Sequence, residues 1–201
     1  MPLLELLAKP YFGMVSVWGE AGTGKTTLAL MIAREHCKFD KCLYVTTEGL
    51  DFLKRAIQLK LRLDNLIVFE AFSLEELVEL VSAYTLHVYP LIVIDSVNAP
   101  LRFHNSSTDF TALIYVLSRL YTISQLFAVN VFLTLQVRVE ESGIVPVGWK
   151  PIALYSNKMI RLSKFSPQYP GLRVAFYDDK KECFVITSSG LEPAPCPQAS
   201  P

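Results

Sequence analysis

Lys25 and Thr26 close the stretch Gly19-Glu20-Ala21-Gly22-Thr23-Gly24-Lys25-Thr26, which meets the pattern G-x-x-x-x-G-K-[ST] at every fixed position. The chemistry this pattern serves is phosphate binding. Glycines let the backbone curl its N–H groups around an anion, and a following helix adds about half a positive charge at its N-terminus. A lysine in this place reaches β- and γ-phosphates, and the neighbouring hydroxyl takes one position on Mg²⁺. A nucleotide is therefore the expected ligand, and with the acidic groups described next ATP with Mg²⁺, bound by Gly19, Glu20, Ala21, Gly22, Thr23, Gly24, Lys25, Thr26 and Thr27. An incidental glycine-rich turn is the plainer explanation, and the flanks argue against it. Residues 13–18 read as a short apolar strand and 27–33 as the start of a helix, which is the context the loop requires.

Hydrolysis needs more than a phosphate loop. Asp95 closes the apolar run Leu91-Ile92-Val93-Ile94, where a carboxylate would hold Mg²⁺ alongside Thr26, directly or through water. Glu48 stands just past another apolar strand, placed to orient or deprotonate the water that attacks a γ-phosphate. Gln136 also ends a strand, where an amide would sense the γ-phosphate and pass that state to the following loop. Each has a bland alternative: a turn-forming Asp, a solvent-facing Glu, a strand-end cap. Together they belong at one place, because open α/β sheets bind ligands at the carboxyl ends of their strands. Lys25, Glu48 and Gln136 are the expected catalytic groups, with Thr26 and Asp95 as metal ligands.

The elements that must position these groups follow from the hydrophobic pattern. After the loop a helix is expected to about residue 38, then a strand over 41–46 and a helix over 50–61 with Leu53, Ala56, Ile57 and Leu61 on one stripe. A strand over 66–69 leads to Ser73 and Glu76, a capping box that opens a helix through about residue 86. The run 91–95, apolar throughout, reads as a central parallel strand buried on both faces. A loop over 98–107, a long helix over 109–127 and a strand over 131–135 come next, and the Gly-, Pro- and Val-rich segment 138–151 reads as a mobile loop. A strand over 158–162 precedes a hairpin of 172–177 with 182–187 around Asp178-Asp179-Lys180-Lys181. Apolar strands alternating with helices predict an α/β fold, a mostly parallel sheet flanked by helices with a C-terminal antiparallel hairpin. Residues 1–191 are expected to form one domain, and the Pro-rich residues 192–201 a disordered tail.

Composition narrows the partners. The 201 residues are 51% hydrophobic and 19% charged, with zero formal net charge, so any nucleic-acid contact must come from a local patch rather than an overall basic field. Cys37, Cys42, Cys183 and Cys196 are scattered, without a C-x-x-C pair, and read as reduced thiols of a cytoplasmic protein. The N-terminus lacks the basic start and small-residue cleavage site of a signal peptide, and leaves no room for a separate N-terminal module. Residues 112–137 carry Arg119 as their single charge and are long enough to span a bilayer. Interruption by Ser118, Thr122, Ser124, Gln125 and Asn130, and the change of period after 130, favour a buried helix followed by a buried strand, with no membrane contact.

The stretches Gly19–Thr26, Tyr44-Val45-Thr46-Thr47-Glu48-Gly49, Leu91 to Ser96 and Leu133-Thr134-Leu135-Gln136-Val137 occur in the order and approximate spacing of the RecA/RadA recombinase family. The chain most resembles its short archaeal RadA paralogs, which are little more than the ATPase core, from about Gly13 to Leu191. That resemblance implies a RecA-like P-loop ATPase core in which Glu48 is the catalytic base and Gln136 couples nucleotide state to a DNA-binding loop. It also implies work on DNA in homologous recombination, assisting a main recombinase or another paralog. Departures point to weaker DNA binding. Thr46 stands where the family has Asp, and Leu135 replaces an Asn beside the glutamine. The segment after Ser96 has no Lys or Arg from 104 to 109, although Arg102 matches a family arginine, and the second loop carries Glu140 and Glu141. Phosphate contacts dominate nucleic-acid affinity, so only weak single-stranded DNA binding is expected. The candidate DNA or partner contacts are Arg102, Arg138, Lys150, Lys158 and Arg161, whereas Lys54, Arg55, Lys60 and Arg62 read as a solvated helix face. A weak, DNA-stimulated Mg²⁺-ATPase is the leading expectation. A nucleotide-gated interaction module with negligible turnover, and a KaiC-like signalling ATPase, are the alternatives.

Overall fold

The structure, a computed structural model, describes Leu3 and residues 13–102, 106–141 and 143–197. The apolar runs become β1 (Gly13–Trp18), β2 (Cys42–Thr46), β3 (Leu66–Glu70), β4 (Leu91–Asp95) and β5 (Asn130–Leu135). Between them lie α1 (Lys25–His36), α2 (Phe52–Gln58), α3 (Leu74–Ser82) and α4 (Ser107–Phe127). A hairpin of β6 (Val137–Glu140) and β7 (Gly143–Pro146) then leads to α5 (Trp149–Tyr155). β8 (Lys158–Ser166), β9 (Tyr169–Tyr177), β10 (Lys180–Thr187) and β11 (Gly190–Ala194) complete the described chain.

Apart from β6 and β7, these strands form one sheet in the order β11-β10-β9-β8-β1-β5-β4-β2-β3. The half from β8 to β3 is parallel, and the half from β8 to β11 is an antiparallel meander. This is the expected α/β architecture, with the C-terminal hairpin enlarged into four strands. Period-two alternation splits the core into two layers. Val15, Tyr44, Val93 and Phe132 face α1 and α2, whereas Met14, Leu43, Val45, Ile94 and Leu133 face α3, α4 and α5. Each fully buried side chain of this size gains about 1.5–3 kcal/mol over exposure, so both faces of the central strands are fixed. Helix α4 is, among the described residues, the helix long and apolar enough to cross a membrane by length and composition, and it packs Leu113, Val116, Leu117, Leu120 and Ile123 into the second layer.

Several boundaries differ from the sequence pattern. Helix α2 is shorter than 50–61, and α3 stops at Ser82 before a 3-10 turn, Tyr84–Val88. Helix α4 starts earlier than 109 because the Ser106 hydroxyl and Asp109 carboxylate cap each other's backbone. The segment 138–151 is structured rather than a loop: Val137-Arg138-Val139-Glu140 pairs with Gly143-Ile144-Val145-Pro146, and α5 begins at once. Pro146 is tolerated because this ribbon has only two strands, leaving its missing N–H without a ladder to break. Gly148 makes the corner at φ +74, where an added Cβ would come within 2.8 Å of Leu113.

The C-terminal boundary also moves. β11 runs through Ala194 against β10, so the ordered part extends past 191, and of the expected tail only 198–201 lie outside the described residues. The cysteines correct the expectation of free thiols. Cys37 and Cys42 flank the tight return from α1 to β2 with Cα atoms 5.7 Å apart, and Cys183 of β10 meets Cys196 beyond β11 at 5.2 Å; both pairs are disulfides. Sequence spacing gave no hint, because it is the strand return that brings each pair together. Chain entropy credits the two bridges with about 2 and 3 kcal/mol. Replacing Cys183 with Ser is expected to lower the thermal unfolding midpoint by about 6–12 °C, and reductant should lower the parent's at least as far. A midpoint unmoved by either would show that the bridge does not form.

Candidate functional site

The loop between β1 and α1 has the backbone its sequence requires. Gly19, Gly22 and Gly24 adopt φ +151, +75 and +101, and Gly24 caps α1 in the left-handed region. At Gly19 a Cβ would lie 2.0 Å from the Leu162 carbonyl oxygen, so the strand-to-loop exit admits only glycine. Thr23 donates its hydroxyl to Glu20 O at 2.8 Å, and Lys25 folds back to donate to Gly19 O at 2.7 Å and Glu20 O at 3.1 Å. Those carbonyls hold the ammonium over the loop, next to the N–H groups at the start of the twelve-residue helix α1. Arg173 of β9 donates to Gly22 O at 3.1 Å and so ties the loop to the meander.

Asp95 is buried at the end of β4, and both of its oxygens carry a hydroxyl hydrogen bond. Tyr44 of β2 donates to Oδ2 at 2.8 Å, and Thr134 of β5 donates a short bond to Oδ1. Tyr44 is fully buried with its ring stacked on Phe52 at 4.4 Å between centroids. Burial, and then the Asp95 charge, hold its pKa well above the usual tyrosine value, so it remains a donor throughout the neutral range. The neighbouring strand positions thus aim one carboxylate at the sheet's carboxyl edge.

Glu48 lies across the same edge. Thr47 fixes its loop to the turn after Asp95: its N–H donates to Asp95 O, and its hydroxyl donates to Ser96 O at 2.8 Å and accepts from Ser96 N at 2.9 Å. Thr46 serves the turn, donating to Gly49 O at 2.8 Å and accepting from Glu48 N at 3.3 Å. Gln136 donates its side-chain amide to Glu48 in a short bond. Thr26, Thr46, Glu48, Gly49, Asp51, Phe52, Arg55 and Asp95 line one cleft of about 300 Å³. The donors a phosphate-borne divalent cation would need, the Thr26 hydroxyl and the Asp95 carboxylate, therefore line the same cleft as the candidate base.

Arg55 is the cation the sequence pattern misplaced. Instead of a solvated face, it spans the cleft's end, donating to Thr27 Oγ1 at 3.2 Å and to Thr187 O at 2.6 Å. Its helical spacing alone did not reveal this, because Thr187 is supplied from the far C-terminal meander. Tyr44, Thr134 and Asn98 were likewise unread, being hydroxyls and an amide inside otherwise apolar runs.

The five candidate DNA or partner cations do not form one patch. Arg138 pairs with Glu140 at 2.5 Å and lines, with Lys150, Phe110 and Trp149, a second and more apolar cavity of about 450 Å³ beneath the β6–β7 hairpin. Arg161 lies over Trp18 at 5.3 Å, and Trp18 meets Trp149 edge-on at 5.5 Å, so this cation faces the same side. Lys158 is elsewhere, paired with Asp178 at 3.1 Å. Alternation along β8 places it on the sheet face opposite Arg161. The Arg102 side chain lies outside the described ones.

A mixed sheet, nine-stranded among the described residues, with a phosphate loop after β1 and acidic groups at the carboxyl ends of β2 and β4 defines a RecA-like P-loop fold. No family model matches the chain. A "DNA repair and recombination protein RadB" of Methanococcus maripaludis is 26% identical over 196 aligned positions, covering 89% of this chain and 90% of the relative. The protein of the same name from Methanococcoides burtonii is 29% identical over 211 positions, covering 94% of each. Among solved structures, the crystal structure of the RadB recombinase matches with a TM-score of 0.77 at 26% identity, over 96% of both chains. Over most of its length the chain is similar to RadB proteins, and its fold is RecA-like.

The hydroxyl clamp on Asp95 gives a direct prediction. Tyr44→Phe keeps the stacking on Phe52 but strips the donor from Oδ2, and should cost about 1–3 kcal/mol of unfolding free energy in urea titration. Combined with Thr134→Val the losses should be non-additive, since both act on one carboxylate. A Tyr44→Phe protein as stable as the parent would remove the clamp from the account.

Proposed function

We propose that this chain is a slow Mg²⁺-dependent ATPase that assists or regulates a main recombinase in DNA recombination and repair. The observation that carries the proposal is the cleft in which Thr26, Asp95 and Glu48 converge beside the phosphate loop. The role in recombination is supported by the RadB relatives.

The nucleotide's phosphates would lie in the Gly19–Thr26 loop, hydrogen-bonded by backbone N–H groups at the head of α1. Lys25 would leave the Gly19 and Glu20 carbonyls for the β- and γ-phosphate oxygens, exchanging two neutral acceptors for an ionised one. Thr26 and Asp95 would hold Mg²⁺, whose contribution when bound is to offset charge on the leaving phosphate oxygens. Glu48 would orient a water and take its proton as the water oxygen bonds to the γ-phosphorus and the bond to the ADP oxygen breaks. Gln136, now donating to Glu48, would turn to the γ-phosphate and free the carboxylate for that water.

The hold of Gln136 on Glu48 also favours a second reading, in which nucleotide sets conformation and turnover is negligible. Under either reading a protein partner is supported more than a DNA filament. Arg138 is neutralised by Glu140, whereas the sheet's edge strand β3 exposes Val68 and Phe69, with Phe72 just beyond it.

Lys25→Ala should abolish detectable nucleotide binding. Glu48→Gln should bind ATP like the parent yet hydrolyse it about 10²–10⁴-fold more slowly in single-turnover assays. Hydrolysis by Glu48→Gln at the parent rate would reassign the base, and a parent that binds ATP without turnover would select the second reading.

A further inference from the structure

Asn98 has no part in the cleft, yet it is fully buried and commits three of its four hydrogen-bonding positions to one feature. Its Oδ1 accepts from Gln136 N at 2.7 Å, and its Nδ2 donates to Gln136 O at 2.9 Å and to Val147 O at 2.8 Å. Gln136 and Val147 are the residues that enter and leave the β6–β7 hairpin, and Val147 N closes the base by donating to Gln136 O at 3.3 Å. One side chain therefore holds both feet of the hairpin. The other end of the linkage is the site itself. Asn98 follows Asp95 by three residues, and between them Val97 N donates to Thr134 O, the residue whose hydroxyl caps Asp95. Gln136 in turn reaches Glu48 through its side chain while its backbone is held by Asn98. The Asp95 turn, Gln136 and the feet of the hairpin are thus joined through the Asn98 amide.

We infer that Asn98 is a positioning residue that makes the β6–β7 hairpin respond to what the cleft holds. The inference rests on the nucleotide-binding reading above. The hairpin is the element to be moved because, among the described residues, its strands pair with each other alone and line the cavity shared with Phe110, Trp149 and Lys150. The required side chain is an amide. A carboxylate of the same shape would turn lone pairs toward the carbonyls of Gln136 and Val147, and a hydroxyl cannot reach three partners at once.

The test is amide hydrogen exchange across 137–147, with and without Mg²⁺ and a non-hydrolysable ATP analogue, on the parent and on Asn98→Asp. Affinity for a fluorescent ATP analogue is measured in parallel. In the parent, nucleotide should change hairpin protection roughly fivefold or more, and in Asn98→Asp the change should fall below about twofold while nucleotide affinity stays within about threefold. A purely structural amide would lower protection in both states and leave their ratio intact. Should Asn98→Asp fail to fold, Asn98→Ser, closer to neutral and smaller, is expected to show the same lost response. A parental ratio in either folded variant overturns the inference, as does a parent that binds the analogue with no change in its hairpin. A parent that binds no analogue overturns the nucleotide reading first and this inference with it.

Discussion

A buried carboxylate at the end of β4 sets the terms for the rest of the site. Asp95 is buried, and hydroxyls from both neighbouring strands bond its two oxygens, the partners that burying a carboxyl group demands. That requirement fixes a tyrosine in β2 and a threonine in β5, inside runs that packing alone would fill with aliphatic residues. It also fixes strand register, since Thr46 opposite Asp95 in β2 places Tyr44 at the reach of its hydroxyl. The Tyr44 ring then needs a partner and finds Phe52, which draws α2, and with it Arg55, to the mouth of the cleft. The geometry around the phosphate loop is thus organised by satisfying one acid.

The same turn extends outward. Thr47 joins the Glu48 loop to the Asp95–Ser96 turn, and Asn98 joins that turn to the hairpin. Groups that would act on a nucleotide and the ribbon that would report it are therefore joined by hydrogen bonds through one short segment of backbone, residues 95–98. On the output side, cations are spent locally: Arg138 on Glu140, Lys158 on Asp178, Arg161 on aromatic rings. A surface built this way offers aromatic and apolar contact more readily than a run of free phosphate-binding charges.

Much of this was legible in the sequence, for identifiable reasons. Central strands such as Leu91–Asp95 announce themselves because parallel strands are apolar on both faces, and the phosphate loop because its glycines and lysine have no substitutes. Asp95, Glu48 and Gln136 were readable as strand-end polar groups, and the sheet brings them to one edge as their positions imply. What stayed hidden depends on contacts between distant segments. Arg55 looked like one cation among four until Thr187 came to meet it, and Asn98 looked like a loop residue until Gln136 and Val147 surrounded it. The β6–β7 ribbon was hidden by Pro146 and Gly148, which signal a loop in general but here end a strand and turn a corner. The cysteine pairs and the strand Gly190–Ala194 were concealed in the same way, since a Pro-rich tail carries no mark of the neighbour it pairs with.

The central claim is that the Gly19–Thr26 loop, Asp95 and Glu48 make one nucleotide site. A crystal structure with Mg²⁺ and a non-hydrolysable ATP analogue tests it most directly. The account predicts phosphates within the loop, Lys25 turned from the Gly19 and Glu20 carbonyls onto them, Asp95 still held by Tyr44 and Thr134, and Glu48 one water from the γ-phosphate. An analogue bound away from the loop, or Glu48 facing away from the γ-phosphate, would contradict it.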